Sequence, residues 1–177
     1  MLNLIHYPNE ILDKRLDDFD FSNPIIDPLI LEESMVTLMA EENGIGLSAN
    51  QVGVNARVFV MYPHNIKDVN TPFAVFNPKI IKVSQEVELE EEGCLSFPGL
   101  FFKVSRPKII LVEFLDRDNN QHIIELTGID ARCFMHELDH LDGICFIDRI
   151  SRLKLDLALK KQRKYNGRTK QRTSTSI

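Results

Sequence analysis

His136-Glu137-Leu138-Asp139-His140 puts two imidazoles four residues apart with a carboxylate beside the first. On an α-helix, positions i and i+4 stand one turn apart on one face, so both rings can reach a single metal ion. The carboxylate then lies beside the open coordination position, where it can carry a proton to and from water. The plain alternative is a solvated acidic helix with two unrelated histidines. The flanks favour the metal reading. Thr127 with Asp130 three residues on reads as a capping box, Ala131, Phe134, Leu138 and Leu141 supply an apolar stripe, and Asp142-Gly143 ends the helix. The pentapeptide therefore falls mid-helix, as the chemistry requires.

Upstream the chain reads as strands. Arg57 to Tyr62, Ala74 to Val83, Glu86 to Glu91, Lys108 to Leu115 and Gln121 to Leu126 are short and rich in β-branched residues or phenylalanine. Asp118-Asn119-Asn120 is a turn between the last two. An N-terminal helix starts at Asp27-Pro28, carries Leu31, Met35, Leu38 and Met39 on its apolar face, and stops at Asn43-Gly44. A glycine-bracketed loop comes next, Gly44-Ile45-Gly46-Leu47-Ser48-Ala49-Asn50-Gln51. A last, basic helix runs from the N-cap Ser151 to Asn166-Gly167, although Leu153, Leu155, Leu157 and Leu159 alternate rather than keep a helical period. The expected fold is α+β: antiparallel and mixed β-sheets packed around a central metal-binding helix, with an N-terminal and a C-terminal helix. Residues 1–167 form one catalytic domain, 152–167 its basic C-terminal helix, and 168–177 a disordered tail.

A chain of 177 residues, 44% of them hydrophobic, can bury one real core. No apolar run approaches the ~20 residues needed to span a bilayer. Asp13, Asp17, Asp18 and Asp20 make the N-terminal segment unlike a signal or transit peptide. Cys94, Cys133 and Cys145 are odd in number and irregular in spacing, which predicts reduced thiols in the cytoplasm. Charge is uneven: residues 152–177 hold nine Lys/Arg against Asp156, whereas the remainder holds 12 bases and 25 acids. A basic tail on an acidic body suits a polyanionic partner such as nucleic acid, or is an ordinary solvated tail.

A catalytic metal needs a third protein ligand. Phe146 stands where one zinc-peptidase pattern has its third histidine, and no glutamate occurs after Glu137 to serve as in another. Asp148 and Asp156 are weak candidates. Cys133 shares the helical face of both histidines but lies seven residues from His140, about 10.5 Å along the axis, too far for one ion. Cys145 sits in the apolar run Ile144 to Ile147 and reads as core. Cys94, in Glu92-Gly93-Cys94-Leu95-Ser96, comes after an acidic strand and can approach from outside the helix. Geometry favours Cys94.

The three segments Gly44 to Gln51, Glu92 to Ser96 and His136 to His140, in this order, resemble the peptide deformylases, and the likeness extends from His6-Tyr7-Pro8 to the helix after Ser151. The resemblance implies removal of the formyl group from the initiator methionine of nascent chains, with Fe2+ as cofactor and Zn2+ or Ni2+ able to substitute. It matches Cys94, His136 and His140 to the metal ligands and Glu137 to the catalytic acid/base. It matches Gln51 and the backbone N–H of Leu95 to the oxyanion donors. Ile45 and Gly46 match substrate contacts, and Leu47, Gly93, Arg132 and Phe134 are expected with them around the methionine. It implies as partners N-formylmethionyl nascent peptides and, through basic residues 152–172, the ribosome and its RNA, with no membrane. Two positions depart from the pattern: Ser48-Ala49 replaces the usual pair of alanines, and Arg132 replaces an apolar residue. The rivals are a zinc-dependent peptidase and a catalytically inactive, ribosome-associated metal-binding protein. A structural metal site needs neither Glu137 nor Gln51, which disfavours the inactive rival.

Overall fold

Asp27 opens helix α1 (Pro28–Glu41) by accepting hydrogen bonds from the backbone N–H groups of Leu29 and Ile30, with Pro28 at the first helical position, as its sequence predicts. Asn43 takes φ +57° and ends the helix, and the N–H of Gly44 returns to the carbonyl of Met39. The computed structural model describes residues 2–161. The strands are β1 (Gly46–Ser48), β2 (Val58–Met61), β3 (Phe73–Val83), β4 (Val87–Gly93), β5 (Phe101–Pro107), β6 (Ile109–Leu115) and β7 (Gln121–Thr127). Helix α2 (Gly128–Leu141) continues directly from β7, and α3 covers residues 152–161. The expected continuation of α3 to Gly167 and the expected tail 168–177 lie outside the described residues. Among the described residues, no helix is long and apolar enough to cross a membrane.

Five strands form one antiparallel sheet in the order β1-β2-β3-β6-β7, and β4 and β5 pair as a separate antiparallel ribbon. Strand β6 alternates, with Ile110, Val112 and Phe114 buried, as a sheet with one covered face requires. All four residues of β2 are buried, because α1 and α2 both pack on it. Phe134 of α2 meets Phe59 of β2 edge to face at 5.1 Å and seats α2 on this core. A second apolar cluster, including Leu12, Phe97, Val104, Cys145 and Phe146, lies under the ribbon. Helix α2 meets the sheet through Phe134 and the ribbon through Arg132, which bonds Glu92, Val104 and Glu88.

Two local expectations need correction, and one strand was not anticipated. The capping box at Thr127 does not form: Thr127 makes no side-chain cap bond. Asp130 instead accepts from the backbone N–H groups of His64 (2.8 Å) and Asn65 (2.6 Å), tying the loop after β2 to the start of α2. The segment read as a loop contains β1, which pairs Leu47 with Val60. Strand β5 has no clear sequence signature, because its inward positions are Val104 and Arg106 and a buried arginine breaks the apolar alternation.

Candidate metal centre and active site

His136 and His140 project from α2 with ring centroids 5.1 Å apart. Cys94, the first residue after β4, brings its Sγ to 3.2 Å from His140 Nε2. One donor atom from each of the three lies within 4.8 Å of the others. A Cβ on Gly93 would meet the Phe101 ring at 2.6 Å, so glycine is what lets the ribbon fold tightly just before the ligand. One thiolate and two imidazoles suit a borderline-soft divalent ion held at about 2.0–2.3 Å, and three protein donors leave a fourth position open. Cys133 takes no part: its thiol is buried and donates to the Ile45 carbonyl (3.4 Å). Cys145 is core, as expected.

Burial disfavours a charged ring at both histidines. At His140 burial is the largest influence and keeps the pKa well below the ordinary imidazole range, so the ring is neutral and its lone pair free. At His136 burial works the same way, but hydrogen bonds with Cys94 and Glu92 override it and raise the pKa to about 10. An ion would displace the Nε2 proton, and the Glu92 bond then fixes the tautomer, since Nδ1 stands 3.1 Å from Glu92 Oε2 and leaves Nε2 to ligate. Glu92 is itself buried. Its Oε1 accepts from Arg106 Nε (2.6 Å) and Arg132 NH1 (2.6 Å), and its Oε2 from Arg106 NH2 (2.9 Å). Burial alone raises this carboxyl; the Arg106 and His136 hydrogen bonds win and hold it at about 2. Arg106 continues to Asp139 (2.8 Å), which Arg149 also clasps. Sequence reading missed Glu92, Arg106, Asp139 and Arg149 as site residues. The available signal was a glutamate two places before the ligand cysteine.

Glu137, 4% exposed, has its Oε2 without a hydrogen-bond partner among the described residues. Burial pushes its carboxyl up to about 7. A Cβ on Gly46 would collide with this carboxyl and stand 2.7 Å from Cys133 Sγ, so β1 approaches α2 only because residue 46 is glycine. Gln51 lies on a 3-10 turn, Ala49–Val52, directly after β1. Its Nε2 is 3.1 Å from Ser96 Oγ and 3.4 Å from Cys94 Sγ, so the amide faces the ligand cluster.

These groups share a cavity of about 520 Å3. Of the residues singled out in the sequence, Ile45, Gly46, Gln51, Gly93, Cys94, Leu95, Arg132, His136 and Glu137 line it, and His140 reaches the cluster from behind. His6, Phe101 and Ile129 also line it and were not anticipated. Leu47 and Phe134 are a correction: both are fully buried in the main core and do not line the cavity. Leu47 points to the opposite face of β1 from Gly46, as the twofold strand period demands. Arg132 touches the cavity, yet its guanidinium is committed to Glu92 and to the carbonyls of Val104 and Glu88 at 2.9 Å each.

The family model described as polypeptide deformylase matches residues 1–156. A peptide deformylase of Agrobacterium fabrum is 43% identical over 133 residues, covering 75% of this chain and 78% of the relative. One from Thermodesulfovibrio yellowstonii is 40% identical over 161 residues, covering 91% and 96%. Among solved structures, the peptide deformylase of Ehrlichia chaffeensis in complex with actinonin matches with a TM-score of 0.81 at 37% identity, over 93% of this chain and 97% of that one. The helix-borne histidine pair, the cysteine beside it and the glycine-led strand that closes over them sit within the matched span, and the chain belongs to the polypeptide deformylase family.

Proposed function

We infer that this site hydrolyses the N-formyl group of the initiator methionine on nascent peptides and releases formate, and we assign the work to individual side chains. The observation that carries the assignment is the meeting of Cys94, His136 and His140 beside the buried Glu137 in one open cavity. A divalent ion held by those three donors supplies, when bound, a lowered pKa for a water molecule and polarisation of the formyl carbonyl. Glu137 takes a proton from the attacking water and delivers it to the departing amine nitrogen. Its burial makes both transfers accessible, because a carboxyl near neutrality both accepts and gives a proton. Gln51 Nε2 and the Leu95 N–H donate to the oxygen on which negative charge develops, each worth about 2.7–4 kcal/mol of barrier. Ile45, Gly46, Gly93 and Arg132 border the substrate. The catalytic unit is residues 1–167, of which Met1 and those past 161 lie outside the described residues.

We assign Fe2+ as the native ion, with Zn2+ or Ni2+ able to replace it, because a thiolate with two imidazoles accepts all three; metal quantified in anaerobically prepared protein tests this, and a different resident ion refutes it. The three free thiols support action in the cytoplasm. The basic segment 152–172, which extends past the described residues, we assign to ribosomal RNA. Its binding should weaken steeply with salt and vanish on deletion of the segment; undiminished binding after deletion ends that reading.

The decisive test of the chemistry is Glu137→Gln. Metal content should be retained while formate release from formyl-Met peptides falls by about 10²–10⁴. Unchanged turnover refutes the acid/base role.

A further inference from the structure

Ser48 is completely buried at the end of β1, and two amide oxygens converge on its hydroxyl. Asn50 Oδ1 is 2.8 Å from Ser48 Oγ and Gln51 Oε1 is 2.9 Å away. The hydroxyl has one proton, so these two amide oxygens share its single donor. The orientations of both amides are fixed independently. Ser48 N, which can only donate, lies 2.9 Å from Gln51 Oε1, so that atom must be oxygen and Nε2 must face Cys94 and Ser96. Asn50 Nδ2 donates to the His140 carbonyl at 2.7 Å, which leaves Oδ1 toward Ser48. One residue therefore touches the proposed oxyanion donor and, through Asn50, the backbone of a metal ligand.

We propose that Ser48 is a positioning residue for the reaction: its N–H and hydroxyl together anchor the Gln51 carboxamide oxygen, so that Nε2 is presented to the reacting carbonyl. The inference rests on the role given above to Gln51. It goes further in placing control of that amide in one buried serine outside the cavity lining. Ser96 Oγ holds the nitrogen end of this amide at 3.1 Å, and the two Ser48 donors hold its oxygen end. Orientation gained this way acts on the developing negative charge and leaves ground-state binding nearly untouched.

The test is a double-mutant cycle of Ser48→Ala and Gln51→Ala, with kcat and KM measured on a formyl-Met peptide and metal content and Tm recorded for each protein. Ser48→Ala should lower kcat about tenfold and change KM less than about twofold. On the Gln51→Ala background, itself slowed about 10²–10³-fold, the Ser48 change should cost less than about twofold, because its main object is gone. An equal tenfold cost on both backgrounds means that Ser48 only supports the fold, and overturns the proposal. A cost under about twofold on the wild-type background overturns it too. Should Ser48→Ala lose metal or melt early, Ser48→Cys keeps the volume and replaces a strong donor by a weak one. The same fall in kcat is expected there, and full activity refutes the clamp. If Gln51→Ala leaves kcat intact, the oxyanion assignment fails as well, whereas a slow Gln51→Ala beside an unaffected Ser48→Ala sinks only the clamp.

Discussion

Replacing Glu92 by glutamine would remove the one anion shared by Arg106, Arg132 and His136. Each carboxylate oxygen accepts from two donors: Oε1 from Arg106 Nε and Arg132 NH1, Oε2 from Arg106 NH2 and His136 Nδ1. Whichever way the new amide sits, its NH2 faces two donors. Breaking a buried ion pair from one side costs about 3–5 kcal/mol. Arg106 keeps Asp139 at 2.8 Å, and Arg132 keeps two carbonyls at 2.9 Å, which favours the lower end. The depression of the Glu92 carboxyl from its ordinary 4.5 to about 2 corresponds independently to about 3 kcal/mol, at about 1.4 kcal/mol per pH unit. For a chain of this length, about 3 kcal/mol lowers Tm by roughly 6–12 °C. The sign with pH comes from a folded pKa below the unfolded one. The stabilisation is complete above the ordinary 4.5 and is lost as pH falls toward about 2, so wild type and variant should converge in acid. His136 also loses the acceptor that fixes its tautomer, which should weaken metal binding about 10–100-fold. Thermal unfolding followed by circular dichroism at neutral and acid pH, with a chelator competition on the same samples, measures both effects. A Tm within roughly 2 °C of wild type at neutral pH, together with metal affinity within about twofold, would refute the reasoning.

Gly46→Ala would set a Cβ 2.7 Å from Cys133 Sγ and against the Glu137 carboxyl; formate release should fall about 100-fold with metal content preserved, and wild-type kcat would contradict the packing argument. Burial holds Glu137 near about 7, while a cation among the neighbouring ligands lowers it, so kcat/KM should rise with pH through a limb at or below about 7; a profile flat from about pH 5 to 8 would argue against this base.

The metal helix was legible because its chemistry is local: five consecutive residues carry two ligands and a base. Cys94 was legible by distance alone, since helical rise excludes Cys133. The features that escaped the sequence depend on partners far along the chain. Glu92 lies in a run where Glu88, Glu90 and Glu91 look the same, and only Arg106 and Arg132 distinguish it. Strand β1 is three residues long and owes its extended form to pairing with β2, which no local propensity reports. Leu47 and Phe134 were misplaced because apolar residues beside a site look alike whether they face the substrate or the core. Asp130 has the spacing of a cap, yet two backbone donors from a loop 65 and 66 residues earlier claim its carboxylate.

The ionic line Arg149–Asp139–Arg106–Glu92–His136 has an evolutionary consequence. Selection on catalysis reaches to position 149, well past the last ligand, because a loose carboxy-terminal turn would slacken every charge behind the first imidazole. Lineages should seldom survive tampering with that arginine, although it touches neither the ion's ligands nor the cavity.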